Sequence, residues 1–192
     1  MSILLRPKLP LERSLLLTTA AAVSVAEACE ALSGRRADIK WVNDVYMDGK
    51  KVCGILTESA LAQGSPYPEF SVVGIGVNVL PPPDGFPEDI ADIADSVFRT
   101  GDPSLIPALA SEILTRFGRL YADLTASPDA LPSFLPAYRS RMLGLGASVT
   151  VLRGDETFPA ILEAMDDDFR LILRREDGSR VVQSSGEIRI RV

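Results

Sequence analysis

Three of the chain's four lysines, Lys40, Lys50 and Lys51, fall within twelve residues, while arginine supplies the rest of its twenty cations. Lysine is a compact point charge on a flexible stem, suited to phosphate or acyl oxygens. Taken alone, the cluster also fits chance plus a solvated hairpin. Asn43 and Asp44 lie between these cations. A carboxylate there suits Mg²⁺, which takes one or two carboxylates plus phosphate oxygens; the same pair also reads as an Asx turn, and both readings are compatible. Gly54 leaves room where a ligand or another backbone approaches closely. Gly74-x-Gly76 is not a dinucleotide fingerprint, because the matching third position is Val79 and the pair lies within a strand. Asn78 interrupts that apolar strand, and a buried amide needs partners, so a structural hydrogen bond and a ligand contact both stay open.

Other chemistries are excluded by composition. Histidine is absent, which removes a His general base, a Ser-His-Asp triad and any His-ligated metal. Cys29 and Cys53 are too far apart in sequence for a CxxC redox or zinc motif. The net charge of −6 argues against a general nucleic-acid binder. With 46% hydrophobic and 24% charged residues over 192 positions, the chain has the balance of a soluble globular protein. That length buries enough surface to need no disulfide or metal staple.

The elements that must position these residues follow from periodicity. Arg6, Lys8 and Arg13 precede an apolar run from Leu15, the outline of a secretory signal. Glu27 and Glu30 inside the run favour a helix to Leu32 that stops at Gly34, buried and too short and polar to span a membrane. A cytosolic chain with free thiols follows. Ile39–Trp41 reads as a strand, Val42-Asn43-Asp44 as a turn and Val45–Met47 as a strand. Asp48-Gly49 is a type I′ hairpin signal, with Lys51–Glu58 returning. Phe70–Leu80 reads as a central buried strand ended by Pro81-Pro82-Pro83. Asp102-Pro103 starts a helix that carries Ile106, Leu109, Ile113, Phe117, Leu120 and Leu124 to about Thr125. A shorter helix carries Phe134, Leu135, Tyr138 and Met142. Beyond a hinge at Gly144 and Gly146, five short strands are predicted: Ser148–Leu152, Thr157–Met165, Phe169–Arg174, Arg180–Gln183 and Ile188–Val192. They suggest a small SH3-like barrel.

The three segments Lys40-Trp41-Val42-Asn43-Asp44, Lys51-Val52-Cys53-Gly54-Ile55-Leu56 and Gly74-Ile75-Gly76-Val77-Asn78 together resemble the biotin protein ligase family. Its pattern is Lys-Trp-Pro-Asn-Asp, a short hairpin, Lys-x-x-Gly-Ile-Leu and a later strand Gly-x-Gly-x-Asn. The resemblance extends over Ser2–Pro7, the long helix and the final Gly186-Glu187-Ile188, essentially the whole chain. It implies an α+β catalytic domain over residues 1–143, with a mixed sheet and packed helices, and an SH3-like domain over 144–192. It further implies ATP-dependent attachment of biotin, through biotinyl-AMP, to a lysine of a biotin carboxyl carrier domain, as in biotin--[acetyl-CoA-carboxylase] ligases.

By the same resemblance, Lys51 contacts the biotin carboxylate and the adenylate phosphate, against the alternative of an exposed hairpin lysine. A fixed ammonium would act electrostatically, with no covalent enzyme intermediate. Lys40 is the second catalytic cation, for ATP phosphates. Asn43, Asp44, Gly54, Gly74, Gly76 and Asn78 bind substrate or nucleotide, with Asp44 also the Mg²⁺ contact. Trp41 is a core residue before it is an adenylate neighbour. A lipoyl or octanoyl transferase and an inactive binding or dimerisation module are the rivals, and a homodimer is admitted as a partner. DNA and membrane are not expected.

The chain departs from the family at two places. Ser2–Pro7 reads as the middle of a family strand, with the Ser-Thr-Asn turn, the Gly/Arg-rich loop and any DNA-binding domain lying before it. Met1 is therefore expected to be an internal start of a longer protein, the beginning of a real fragment or degenerate paralogue, or the start of a chain whose missing loop another chain supplies; without the Gly/Arg-rich loop, biotin attachment is expected to be crippled. Val42 stands where the family has Pro, which is expected to loosen the turn before Asn43.

Overall fold

The computed structural model describes residues 1–61, 63–154, 156–184 and 187–190. The predicted turn at Ser185-Gly186, the end of the last strand and Asp155 lie outside them. The chain forms two compact units, Met1–Arg141 and Met142–Val192.

The first unit is built on five strands: β1 (Ser2–Leu5), β2 (Asp38–Lys40), β3 (Asp44–Met47), β4 (Lys50–Leu61) and β5 (Pro68–Val77). Their order is β1-β5-β4-β3-β2. Each ladder is antiparallel; among the described residues the parallel component expected of a mixed sheet reduces to an isolated Lys51–Ala94 bridge. The β3–β4 hairpin turns at Asp48 (φ 50°) and Gly49 (φ 78°), the two positive values a type I′ turn requires. β5 ends at Val77, so Asn78 lies just past the strand.

One face of this sheet carries Ile39, Val45, Met47, Cys53, Ile55, Val73 and Ile75, all buried. Helix α1 (Leu15–Ser33) covers it. Alanines at 20, 21, 22, 26 and 28 are fully buried and let the helix lie close to the strands. Each fully buried Leu, Ile or Val side chain stabilises the unit by about 1.5–3 kcal/mol. Gly34 (φ 69°) ends α1 in the left-handed region, and its N–H donates to the Glu30 carbonyl at 2.9 Å.

By length and apolarity α1 could cross a membrane, which corrects the expectation that it is too short and polar. Its burial is what marks it as a core helix. Helix α2 (Leu105–Ala126) packs on α1 and buries Leu109, Ile113, Phe117 and Leu124. Asp102 accepts from the Ser104 N–H at 2.7 Å just before α2 begins. The short α3 (Leu135–Arg139) ends before Met142. Arg116 reaches Glu27 (2.9 Å) and Glu112 (2.7 Å), and Arg141 reaches Glu30 (2.7 Å), joining the helical layer by charge.

The second unit contains β6 (Ser148–Arg153), β7 (Glu156–Met165), β8 (Leu171–Arg174), β9 (Arg180–Gln183) and β10 (Glu187–Ile190). They form an antiparallel SH3-like arrangement in the order β10-β6-β7-β8-β9. Its core is Val149, Val151, Leu162, Phe169, Leu171, Leu173 and Ile188.

Candidate active site

Strand register places the motif residues in one row. Lys40 pairs with Asp44, Asp44 with Gly54, and Gly54 with Gly76, so four strands present one line on the face opposite α1. Gly74 lies two residues along β5, opposite Leu56, on the same face.

Strict alternation along β4 would turn Lys51 toward α1, because Cys53 points there. A β-bulge prevents this. Val45 pairs with Cys53 and Tyr46 with Lys51, leaving Val52 as the extra residue. Val52 and Cys53 are consecutive and both buried. Lys51 is thereby returned to the open face, a common use of bulges beside functional sites. Its Nζ lies 2.8 Å from Asp44 Oδ1. A Cβ on Gly54 would stand 3.3 Å from both Cε and Nζ of Lys51. The missing side chain therefore lets the lysine lie across β4 to its carboxylate.

Gly74 and Gly76 do different work. Cβ atoms there would meet only carbonyl oxygens, Leu56 O at 3.5 Å and Gly54 O at 3.7 Å, which is ordinary contact. The protein's own packing does not demand glycine at either place, so the bare backbone makes a flat floor for something else. Two cavities open above it. One, of about 470 Å³, is lined by Asn43, Asp44, Lys51, Gly54, Gly74 and Gly76, with neighbouring residues of β4 and β5. The other, of about 380 Å³, is lined by Tyr46, Lys51, Gly54, Gly76, Asn78 and the 90–94 segment. Lys51, Gly54 and Gly76 belong to both.

The asparagines are anchored. Asn43 Nδ2 donates to Ile55 O (2.7 Å), while the Ile55 N–H donates to Asn43 O (3.0 Å). From the other side, the Tyr138 hydroxyl donates to Val42 O at 3.1 Å. The turn expected to loosen at Val42 is instead held from two directions. Asn78 Nδ2 donates to Asp95 O at 3.1 Å, and its backbone bonds Val52 and Val97. Lys40 shares the row with Asp44 but lines neither cavity. Trp41 is buried, as a core residue.

Both cysteines are free and buried. Desolvation by burial, aided by the nearby Glu30 carboxylate, pushes the Cys29 thiol up to about 12. Desolvation, with Cys29 and Asp44 adding, pushes Cys53 up as well. Neither thiol is a ready nucleophile. Among the described residues no three His, Cys, Asp or Glu side chains cluster as metal ligands. Asp44 already pairs with an ammonium, which makes it a poor fit to the expected Mg²⁺ ligand.

No local pattern in the sequence marks the 84–97 segment as part of the site. It returns to the site as a strap. Lys51 N–H donates to Ile93 O (2.8 Å), Asp95 N–H donates to Lys51 O (3.0 Å), and Ile90, Ile93 and Ala94 line the second cavity. The signal available is modest: Ile90 and Ile93 recur among Asp89, Asp92 and Asp95 in an acidic loop.

Similarity to known proteins agrees with this geometry. Residues 1–78 match the Biotin/lipoate A/B protein ligase family, and residues 144–191 match the Biotin protein ligase C terminal domain. The chain is 32% identical over 190 residues to the biotin--[acetyl-CoA-carboxylase] ligase of Paracoccus denitrificans, covering 96% of this chain and 77% of that protein. It is 33% identical over 186 residues to the bifunctional ligase/repressor BirA of Bacillus spizizenii, covering 96% of this chain but 56% of that one. Against the Bacillus relatives, then, it spans little more than half their length. The apo structure of the biotin protein ligase from Aquifex aeolicus superposes with a TM-score of 0.79 at 29% identity, over 99% of this chain and 80% of that one. The same enzyme in complex with biotin and ATP gives 0.77 at 27% identity, over 99% and 76%.

Proposed function

Since the chain belongs to the biotin protein ligase family, we propose that it activates biotin with ATP and transfers the biotinyl group to a lysine of a carboxyl carrier domain. In the first step a biotin carboxylate oxygen attacks the α-phosphorus. The new P–O bond forms as the α–β bridge breaks and pyrophosphate leaves. In the second, the neutral amine of the carrier lysine attacks the acyl carbon. An amide forms, AMP departs and the amine gives up a proton.

The observation that carries the proposal is Lys51 held at 2.8 Å by Asp44 above the Gly54–Gly76 floor, where two cavities meet. Negative charge develops on carboxylate and phosphate oxygens in the first step. A preorganised ammonium between the cavities stabilises that charge without reorganising. Asp44 aims the ammonium, the glycines let the mixed anhydride lie on backbone, and Asn43 and Asn78 keep the floor's edges in place. Lys40, one strand beyond Asp44, is proposed for the ATP phosphates. A cytoplasmic location fits the two free, buried thiols.

Thermal shift with biotin, lipoate and ATP, followed by pyrophosphate release, tests this reading. A ligand that binds the native state raises stability. Biotin with ATP should raise the midpoint and release pyrophosphate. A shift with lipoate alone would place the chain with the lipoate branch, and no shift with either would reject the reading.

A further inference from the structure

Arg35 lines neither cavity, yet it touches both the hairpin turn that precedes Lys51 and the strap beside it. Its Nη1 donates to Val97 O (2.9 Å) and Ser96 O (3.2 Å). Its Nη2 pairs with Asp48 at 2.8 Å and with Asp95 at 3.4 Å. Asp48 is the first turn residue of the β3–β4 hairpin, three positions before Lys51. Asp95 belongs to the strap, whose main chain bonds the Lys51 peptide on both sides. One planar guanidinium thus joins the α1–β2 connection, the hairpin turn and the strap. The Arg35 side chain is 21% exposed and Asp95 26%, so the strap contacts are partly shielded, whereas the Asp48 pair lies open to solvent screening.

We infer that Arg35 is a positioning residue for Lys51, acting through the strap. The physical need is clear at the bulge. A bulged residue leaves a ladder locally unpaired. The β3–β4 ladder skips Val52 between the Val45–Cys53 and Tyr46–Lys51 pairs, and beside that skip the Lys51 N–H and C=O bond the strap. The strap is an irregular loop, and irregular segments open easily unless something fixes them. Lys50 Nζ also reaches it, at Ala91 O (2.9 Å), but that contact is exposed. Asn78 anchors the same stretch at Asp95 O and the Val97 N–H, and Arg35 adds the side-chain clamp: its fork serves two carbonyls and two carboxylates at once, which an ammonium cannot reproduce. The role of Lys51 rests on the function proposed above; the mechanical link from Arg35 to Lys51 does not.

The test separates the two. The chain contains only four lysines, so protein labelled with ¹⁵N-lysine gives four backbone amide signals, and Lys51→Arg identifies one by its loss. In Arg35→Gln, solvent exchange of the Lys51 amide should accelerate about tenfold or more while that of Lys8 is unchanged. Arg36→Gln, at an exposed arginine that pairs with Asp38, should leave all four signals alone. Asp48→Asn, a milder surface change, should move the Lys51 amide in the same direction by less, and serves if Arg35→Gln does not fold. An unchanged Lys51 amide in Arg35→Gln, or in Asp48→Asn where the first does not fold, overturns the link. In pyrophosphate release, Arg35→Gln should lower kcat about ten- to a hundredfold with the biotin KM within about twofold. Arg35→Lys should recover only part. On a Lys51→Arg background the Arg35→Gln effect should vanish; a full multiplicative loss there makes Arg35 merely structural. If the parent protein releases no pyrophosphate with biotin, the proposed function fails, while the amide exchange still decides the link.

Discussion

Along β4, Cys53, Ile55 and Thr57 face α1, whereas Gly54, Leu56 and Glu58 face the open side. The same strand therefore carries a packed core and the candidate site at alternate positions. On the α1 side the sites are filled: Ile55 and Ile75 are buried, and Thr18 donates to Thr57 at 2.8 Å. On the open side the sites are emptied: glycine recurs at 54, 74 and 76, and Leu56 is 63% exposed. One side is held by volume, the other by the absence of it. A substitution should therefore damage stability on the first face and chemistry on the second.

The contrast breaks hardest at Lys51. Lys51→Arg should lose about 3–4 kcal/mol of transition-state stabilisation, roughly 10²–10³ in rate, read as pyrophosphate release, with an almost unmoved thermal midpoint. A variant that loses stability and keeps its rate would assign Lys51 to the fold. Across the sheet, Ile75→Ala should cost about 2–4 kcal/mol of unfolding free energy through the cavity it leaves. Denaturant titration checks this, and the rate per folded molecule should persist. Gly54→Ala sharpens the comparison. Its Cβ would crowd the Lys51 ammonium at 3.3 Å, so a fall of about tenfold in rate, or roughly 1.4 kcal/mol, should come with little change in midpoint.

The smallest effect lies at the rim of the helical layer. Burial raises the Glu30 carboxyl, but hydrogen bonds from Arg141 and the Ala37 N–H outweigh it and hold it below its usual 4.5. A carboxyl lowered in the folded state contributes stability above its unfolded value, and that contribution disappears as pH falls through the folded value. The midpoint difference between the parent and Glu30→Gln should hold from pH 8 to 5 and shrink below about 4.5. A difference that grows in acid would mean that Arg141 does not hold this carboxylate.

Local rules made much of the molecule readable beforehand. Asp48-Gly49 is a type I′ turn because only residues tolerant of positive φ fit there. Gly34 ends α1, the Leu109–Leu124 spacing defines α2, and the five short strands after Gly146 have close to their expected limits. Lys51, Asp44, Gly54, Gly74 and Gly76 were legible as a set because their order and spacing travel together in one family. Two expectations failed for lack of context. Apolarity and length alone cannot distinguish a membrane span from α1, whose surroundings bury it. Val42 was expected to loosen its turn, but Tyr138, 96 positions away, holds its carbonyl.

Sequence alone therefore determined which residues carry charge, which positions are bare and where the chain turns, because each depends on neighbours a few positions apart. Only the tertiary structure decided where Lys51 points. That direction depends on the bulge at Val52, on the strap at Ile93–Asp95 that satisfies the Lys51 peptide, and on Arg35, which reaches Asp48 and Val97 from the end of α1. These contacts join residues up to 62 positions apart, and no local propensity encodes them. A one-residue shift in register sends a side chain to the opposite face, so the difference between a core-facing and a site-facing lysine lies in long-range hydrogen bonds.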